Sequence, residues 1–309
     1  MRGVDASGID VSRAYYEDTV APLLDGVPHA AGRLGSGSDV LGLDDEMSRD
    51  HDWGCRLNVF VDDDVDATAL SERLERDLPD ELDGRPVRFP TSWKPEGHQV
   101  GVDTVDDFVR SRLGVVPGDE IDWLLLTGQS VLEVIAGPVF HDDTGELTAM
   151  RSRLQWYPES VEQYVVRSQW IRISEELPFI GRTRDRGDEL GSSVITRRLA
   201  RDVMHLTLLV ERQWSPYPKW LGSAYGDRGH ALDSEESICA ALDEVAGRRV
   251  TTQFWDRPYR QVDPAFIEEL PRGLPLPDGI GSVEQWCDNV RVMGRRVDLR
   301  KAYEAWIER

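Results

Sequence analysis

Apolar positions along this chain follow two patterns. Up to about residue 118, helical spacing and alternation take turns. Beyond it, helical spacing dominates. VSRAYYEDTVAPLL (11–24) sets apolar residues at helical intervals, with Asp10 or Ser12 available as cap. HAAGRLGSGSDVLGLDDEMS (29–48) is rich in glycine and serine, which predicts a strand end followed by a loop or short helical turn. CRLNVFV (55–61) alternates Leu57, Val59 and Val61 and predicts a strand, as does HQVGVDTV (98–105). Amphipathic helices are predicted over 66–78 and 105–114. From about residue 120 helices are predicted within WLLLTGQSVLEVIAG (123–137) and over 158–177, 192–214, 235–247, 282–294 and 299–308. The proline-rich stretch 251–281 predicts irregular chain. The fold class expected is α+β: a small α/β domain over 1–118, then a helical domain over 119–309. No internal repeat is visible.

Composition narrows the class. With 309 residues and 40 % hydrophobic content the chain is long enough for two cores and is globular rather than disordered. Cys55, Cys239 and Cys287 are scattered and odd in number, which excludes a CxxC zinc ribbon and points to a reducing cytoplasm. The start, MRGVDASGID, has no apolar core of a signal peptide, and runs such as WLLL are too short to span a bilayer, so a cytoplasmic protein is expected.

Charge changes the picture more. The net charge of −21 argues against bulk binding to nucleic acid or an anionic membrane. Lys94, Lys219 and Lys301 are the only lysines among 36 basic residues. Acidity with so little lysine resembles proteins of salt-adapted cells, where ionic strength screens self-repulsion. Any phosphate chemistry would need a local cation inside this negative field.

One stretch offers such a site. Gly37-Ser38 is followed, eleven residues on, by Asp50-His51-Asp52, and then by the 55–61 strand. In a strand residues i and i+2 point to the same face, so Asp50 and Asp52 are expected to aim both carboxylates at one spot, roughly 7 Å apart, with His51 on the other face. Two carboxylates on one face suit magnesium or manganese, which keep part of their shell for water and phosphate oxygens. Gly37 lets backbone N–H groups approach a phosphate, and Ser38 adds a hydroxyl. A carboxylate pair at this spacing is common by chance among 57 acidic residues, and VDDDVD (61–66) holds others. The ordered combination of Gly-Ser, spacer, Asp-x-Asp and strand carries the signal.

That order resembles the signature of the nucleotidyltransferase superfamily, which includes kanamycin nucleotidyltransferase and polymerase-β-like enzymes. More narrowly, GSDVLGLDDEMSRDHDWG (37–54), GPVFHDDTGELTAMRSRLQWYP (137–158), GDELGS (187–192) and PYPKWLG (216–222) are similar to an uncharacterised nucleotidyltransferase-like family known as a domain of unknown function. The resemblance covers roughly 30–225, leaving 226–309 as a helical extension. It implies a small mixed sheet followed by a helical domain. It also implies transfer of a nucleoside monophosphate from a nucleoside triphosphate to an acceptor hydroxyl on a small molecule or protein.

The superfamily uses a third carboxylate on a later strand. Asp103 is the positional candidate here, and its competing role is to cap the helix over 105–114. Lys219 is a candidate to reach a triphosphate, with Tyr217 or Trp220 stacking on a base. The plainer arrangement is an apolar corner of Trp214, Tyr217 and Trp220 with Lys219 in water. Asp188 and Glu189 fit a helix N-terminus, Arg182 and Arg184 fit pairing with acids, His51 fits a supporting role, and His141 fits the end of a strand. The alternative to an enzyme is a nucleotide-binding or regulatory, antitoxin-like module that kept the fold without the chemistry. A phosphohydrolase built on His51-Asp52 fits poorly, because the pair precedes a strand and the other histidines are not spaced to join it.

Overall fold

The computed structural model describes residues 6–49, 53–91, 96–247, 250–251, 259–286 and 296–307. The chain folds as two compact units. The first comprises Met1–Val116 and Ser130–Gln155, the second Pro117–Gln129 and Trp156–Arg309. The sequence reading set a single boundary near Gly118. In the structure residues 130–155 return to the first unit, because they carry one of its strands.

That unit is built on β1 (Ala30–Gly32), β2 (Arg56–Phe60), β5 (Gln99–Asp103) and β6 (Val139–Asp142), in the order β5-β2-β1-β6. β2 runs parallel to β5, while β1 is antiparallel to both β2 and β6. Between β2 and β5 a short hairpin, β3 (Glu81–Leu82) and β4 (Arg85–Pro86), turns at Asp83 and Gly84, both at positive φ.

Alternation in β2 sends Leu57 and Val59 to one face. There they meet Ala31, Val100, Tyr15 and Leu24, together with Leu70 and Leu74 of the helix Ala67–Asp77. The opposite face carries Arg56, Asn58 and Phe60. Phe60 packs edge-on against Phe108 of the helix Val105–Leu113 at 5.1 Å. One face of the sheet is therefore core, and the other is mostly polar.

The N-terminal helix Gly8–Tyr15 starts earlier than periodicity predicts. Its cap is Ser7, whose hydroxyl accepts from Asp10 N while Asp10 reaches back, so Asp10 is the partner within a capping box and Ser12 lies inside the helix. The helix then widens into one π turn, Tyr16–Val20, which lets the successive residues Tyr15 and Tyr16 both be buried.

The second unit is helical, as expected, with one small β-pair among its described residues, β7 (Val250–Thr251) and β8 (Gln261–Val262). The helices Glu159–Arg184 and Glu189–Val210 run antiparallel and bury Trp170, Ile173 and Leu177 against Leu199, Val203 and Leu206. The first passes straight through Pro178, past the end predicted at 177. Pro178 and Ile180 are buried, so packing of the last turns offsets the lost hydrogen bond. The turn between the helices is closed by Asp188, whose carboxylate accepts from Gly191 N at 2.8 Å. Arg184 pairs with Glu235 at 2.8 Å.

Candidate functional site

The Gly-Ser loop leaves the end of β1 and wraps around a buried guanidinium. Arg33 is 1 % exposed. Its Nε and Nη2 donate to the two oxygens of Asp39 at 2.8 and 2.9 Å, its Nη1 donates to Leu34 O at 2.6 Å, and Nη2 also donates to Ser36 O at 2.9 Å. Four hydrogen bonds from one side chain fix residues 34–39. Gly37 sits at φ 147°, where an added Cβ would come 2.1 Å from Asp39 Oδ1 and 2.5 Å from Arg33 Nη2. Only glycine fits there. The Ser38 carbonyl accepts from Leu41 N and Leu43 N, which closes the turn beyond it. Among the described residues the Ser38 hydroxyl has no protein partner.

The loop is tied to the polar face of the sheet. Asn58 Oδ1 accepts from Leu34 N at 3.0 Å, and Gly35 N donates to Glu133 O at 2.7 Å. Arg112 brings a second guanidinium against the loop, 3.6 Å from the Cβ position of Gly35. It lies over the Phe108 ring at 5.2 Å and 3.4 Å from Glu133 Oε2. The Nε of Arg112 is buried with no hydrogen-bond partner among the described residues.

Asp50, His51 and Asp52 lie outside the described residues. The next residue, Trp53, is described. A Cβ on Gly8 would meet both Trp53 Nε1, at 3.1 Å, and Asp39 Cβ, at 2.8 Å. Trp53 and Asp39 thus flank one glycine, one residue beyond the acid pair on one side and one beyond Ser38 on the other.

Asp103 is placed differently. Register pairs Gln99 with Arg56 and Asp103 with Phe60, so Asp103 stands about 13 Å along the strand from the end where β2 begins. It shares the polar face: the Cβ position of Gly101 is 3.5 Å from Asn58 Nδ2 and 3.9 Å from Asp103 Oδ2. Burial raises its carboxyl above the usual range, partly opposed by Arg112 and reinforced by Asp107. It does not cap the following helix. Thr104 does, accepting from Asp107 N at 3.1 Å.

Lys219 belongs to the second unit, on the helix Pro218–Tyr225, exposed and 4.9 Å from the centre of the Trp220 ring. Trp214 is buried there against Tyr157 and Trp156, at 4.4 and 4.8 Å.

Sequence reasoning singled out Gly37 and Ser38 but missed what holds them. Asp39 follows Ser38 directly, and the signal that Arg33 is buried in AAGRLGSGSD is faint. The apolar neighbours Ala30, Ala31 and Leu34 were the available signal. A second group was also missed. His29, His141 and Asp143 each offer a ligand atom, all within 4.8 Å of one another.

Residues 123–221 match a family model described as a domain of unknown function, DUF4037. No curated protein matches the chain. Among solved structures it is similar to a nucleotidyltransferase-like protein from Exiguobacterium sibiricum 255-15, at 13 % identity and a TM-score of 0.30, over 77 % of this chain and 73 % of that one. The family match agrees with the resemblance to an uncharacterised family known as a domain of unknown function. A structural likeness of that degree says nothing of chemistry or substrate. Among the described residues no helix is long and apolar enough to cross a membrane.

Proposed function

We propose that the protein is a metal-dependent nucleotidyltransferase that moves a nucleoside monophosphate from a nucleoside triphosphate onto a hydroxyl of a small-molecule or protein acceptor. The observation that carries this reading is the Gly37 cradle. There the Arg33–Asp39 clasp fixes the backbone and itself fills the space a side chain at position 37 would take. A phosphate oxygen can approach the amides of such a turn closely, and Ser38 can donate its hydroxyl to it. Arg112 adds positive charge beside Gly35 inside an otherwise acidic chain.

The oxygen donors of Asp50 and Asp52 are of the type magnesium or manganese takes. A bound ion of this kind would neutralise triphosphate charge and orient the incoming hydroxyl. Asp103, its carboxyl raised by burial, is the candidate base. It would accept the proton of the acceptor hydroxyl as that oxygen bonds to the α-phosphorus and pyrophosphate leaves. Its place on the polar face would put the acceptor over Gly101.

The position of Asp103 also favours a second reading, a nucleotide-binding or regulatory module without turnover. A third carboxylate at the Phe60 end of β5 is far from the start of β2. Isothermal titration with nucleoside triphosphates and Mg²⁺, followed by pyrophosphate release across pooled acceptors, separates the two. For the enzyme, Asp50→Asn with Asp52→Asn abolishes ion-dependent binding, while Asp103→Asn keeps binding and loses release. Binding without release from any acceptor supports the module. Unchanged binding in the double variant sinks the site.

A further inference from the structure

His29 stands immediately before β1, at the opposite end of that strand from the Gly-Ser loop. The β1–β6 pairing sets His141 across from Ala31 and Asp142 across from Ala30, and Asp143 N donates to His29 O at 3.1 Å. Backbone register thus gathers two histidines and an aspartate at one corner of the sheet. The two imidazole rings lie 4.7 Å apart, and His141 Nε2 is 2.9 Å from Asp143 Oδ1.

We propose that His29, His141 and Asp143 bind one divalent transition ion of the zinc class. Each offers a ligand atom within 4.8 Å of the other two. The donor set of two imidazoles and one carboxylate suits zinc and its neighbours, and not magnesium, which takes oxygen ligands.

Supporting contacts are already in place. His29 is buried, and its Nδ1 lies 2.7 Å from Val27 O. A carbonyl can only accept, so Nδ1 carries the proton and Nε2 keeps its lone pair. This is the outer-shell arrangement that orients metal-binding histidines. Tyr16 Oη, 3.1 Å from that Nε2, donates to the same lone pair, so its hydroxyl must turn away for Nε2 to take the ion. Asp142 is engaged elsewhere, accepting from Gly145 N at 3.0 Å and from Thr148 N at 2.9 Å, which leaves Asp143 to face the histidines.

A tetrahedral zinc site with bonds of about 2.0–2.1 Å needs donor separations of about 3.4 Å, so the cluster must tighten. His141 and Asp143 can do this, since their side chains are 39 % and 43 % exposed. Three protein ligands leave a fourth position toward solvent. The ion would fasten the approach to β1 to the end of β6, independently of the reading proposed for the Gly-Ser loop.

The full-length chain, stripped with a chelator, is titrated with zinc chloride by calorimetry and with cobalt(II) by visible absorption. The expected result is one equivalent bound, with the d–d bands of low-coordinate cobalt. His141→Ala should weaken binding by at least about tenfold, the loss typical even of an outer-shell partner, and remove the bands. Asp143→Asn keeps an acceptor for His29 N–H and provides a second reading should His141→Ala misfold; it too should weaken binding. Asp50→Asn with Asp52→Asn should leave zinc binding intact, which separates this site from the Gly-Ser loop. Absence of saturable binding by the wild type, or wild-type affinity in a folded His141→Ala or Asp143→Asn variant, would overturn the proposal.

Discussion

Arg33 and Asp39 face each other across the Gly-Ser turn, and Arg33 donates two parallel hydrogen bonds to the carboxylate at 2.8 and 2.9 Å, with side chains only 2 % and 10 % exposed. The pair is a strut for the loop, because the same guanidinium also binds the carbonyls of Leu34 and Ser36. Removing one partner leaves the other charge buried. Asp39→Ala is expected to destabilise the first unit by about 3–5 kcal/mol. Denaturant unfolding checks the size, and a double-mutant cycle with Arg33→Met recovers part of the loss if the pair is coupled.

Gly37→Ala tests the cradle itself. At φ 147° with Asp39 Oδ1 2.1 Å from the new Cβ, the turn must distort. A stability loss of about 1–3 kcal/mol is expected. Triphosphate affinity should fall further than in Ser38→Ala, which removes one donor and leaves the backbone in place. Calorimetric titration of the two variants gives the ranking, and equal affinities would contradict it.

His205 gives the second unit a pH dependence. Burial, with Arg201 and Arg172 nearby, pushes its pKa down to about 3. Glu284 Oε1, 3.7 Å from Nδ1, is too distant for a hydrogen bond and does not offset this. The unfolded chain takes up a proton near pH 6.5 and the folded chain does not. Stability is therefore intact above that pH and falls as the pH drops toward 3, by about 1.4 kcal/mol per unit for one proton. Urea unfolding of wild type and His205→Gln between pH 7 and 4 isolates the slope, which should shrink in the variant.

Thiol chemistry offers a check on both cores. Cys55 and Cys239 are buried, and burial raises their thiols to about 11 and about 12. At pH 8 an alkylating reagent should modify neither while the chain is folded, and both after denaturation. Mass spectrometry of the tryptic peptides reads this directly. Native labelling at Cys55 would mean that the sheet opens.

Strands and helices with a strong period were legible in the sequence. Leu57, Val59 and Val61 announce β2, and Asp66 ahead of Ala67–Asp77 marks a helix start that the structure keeps. β6 was harder to read. VFHD is four residues long and half-buried throughout, so it shows no alternation, and its partner β1 is three residues buried on both faces. Ser7 was missed as a cap because the apolar period begins only at Val11, beyond the capping box. The site was half legible. Gly37 and Ser38 belong to a recognisable string, whereas Asn58 and Arg112 reach the loop only through the packing of β2 and of the helix Val105–Leu113, which no local pattern encodes. His29 and His141 are 112 positions apart, and only the β1–β6 pairing brings them together.

The late arrival of β6 matters for anyone shortening this protein. A fragment stopped near residue 118 would fold, if at all, without the edge strand that covers Ala30–Gly32. Bare amides and carbonyls along β1 would then invite another chain to pair with them, and such a fragment should clump where the intact polypeptide does not.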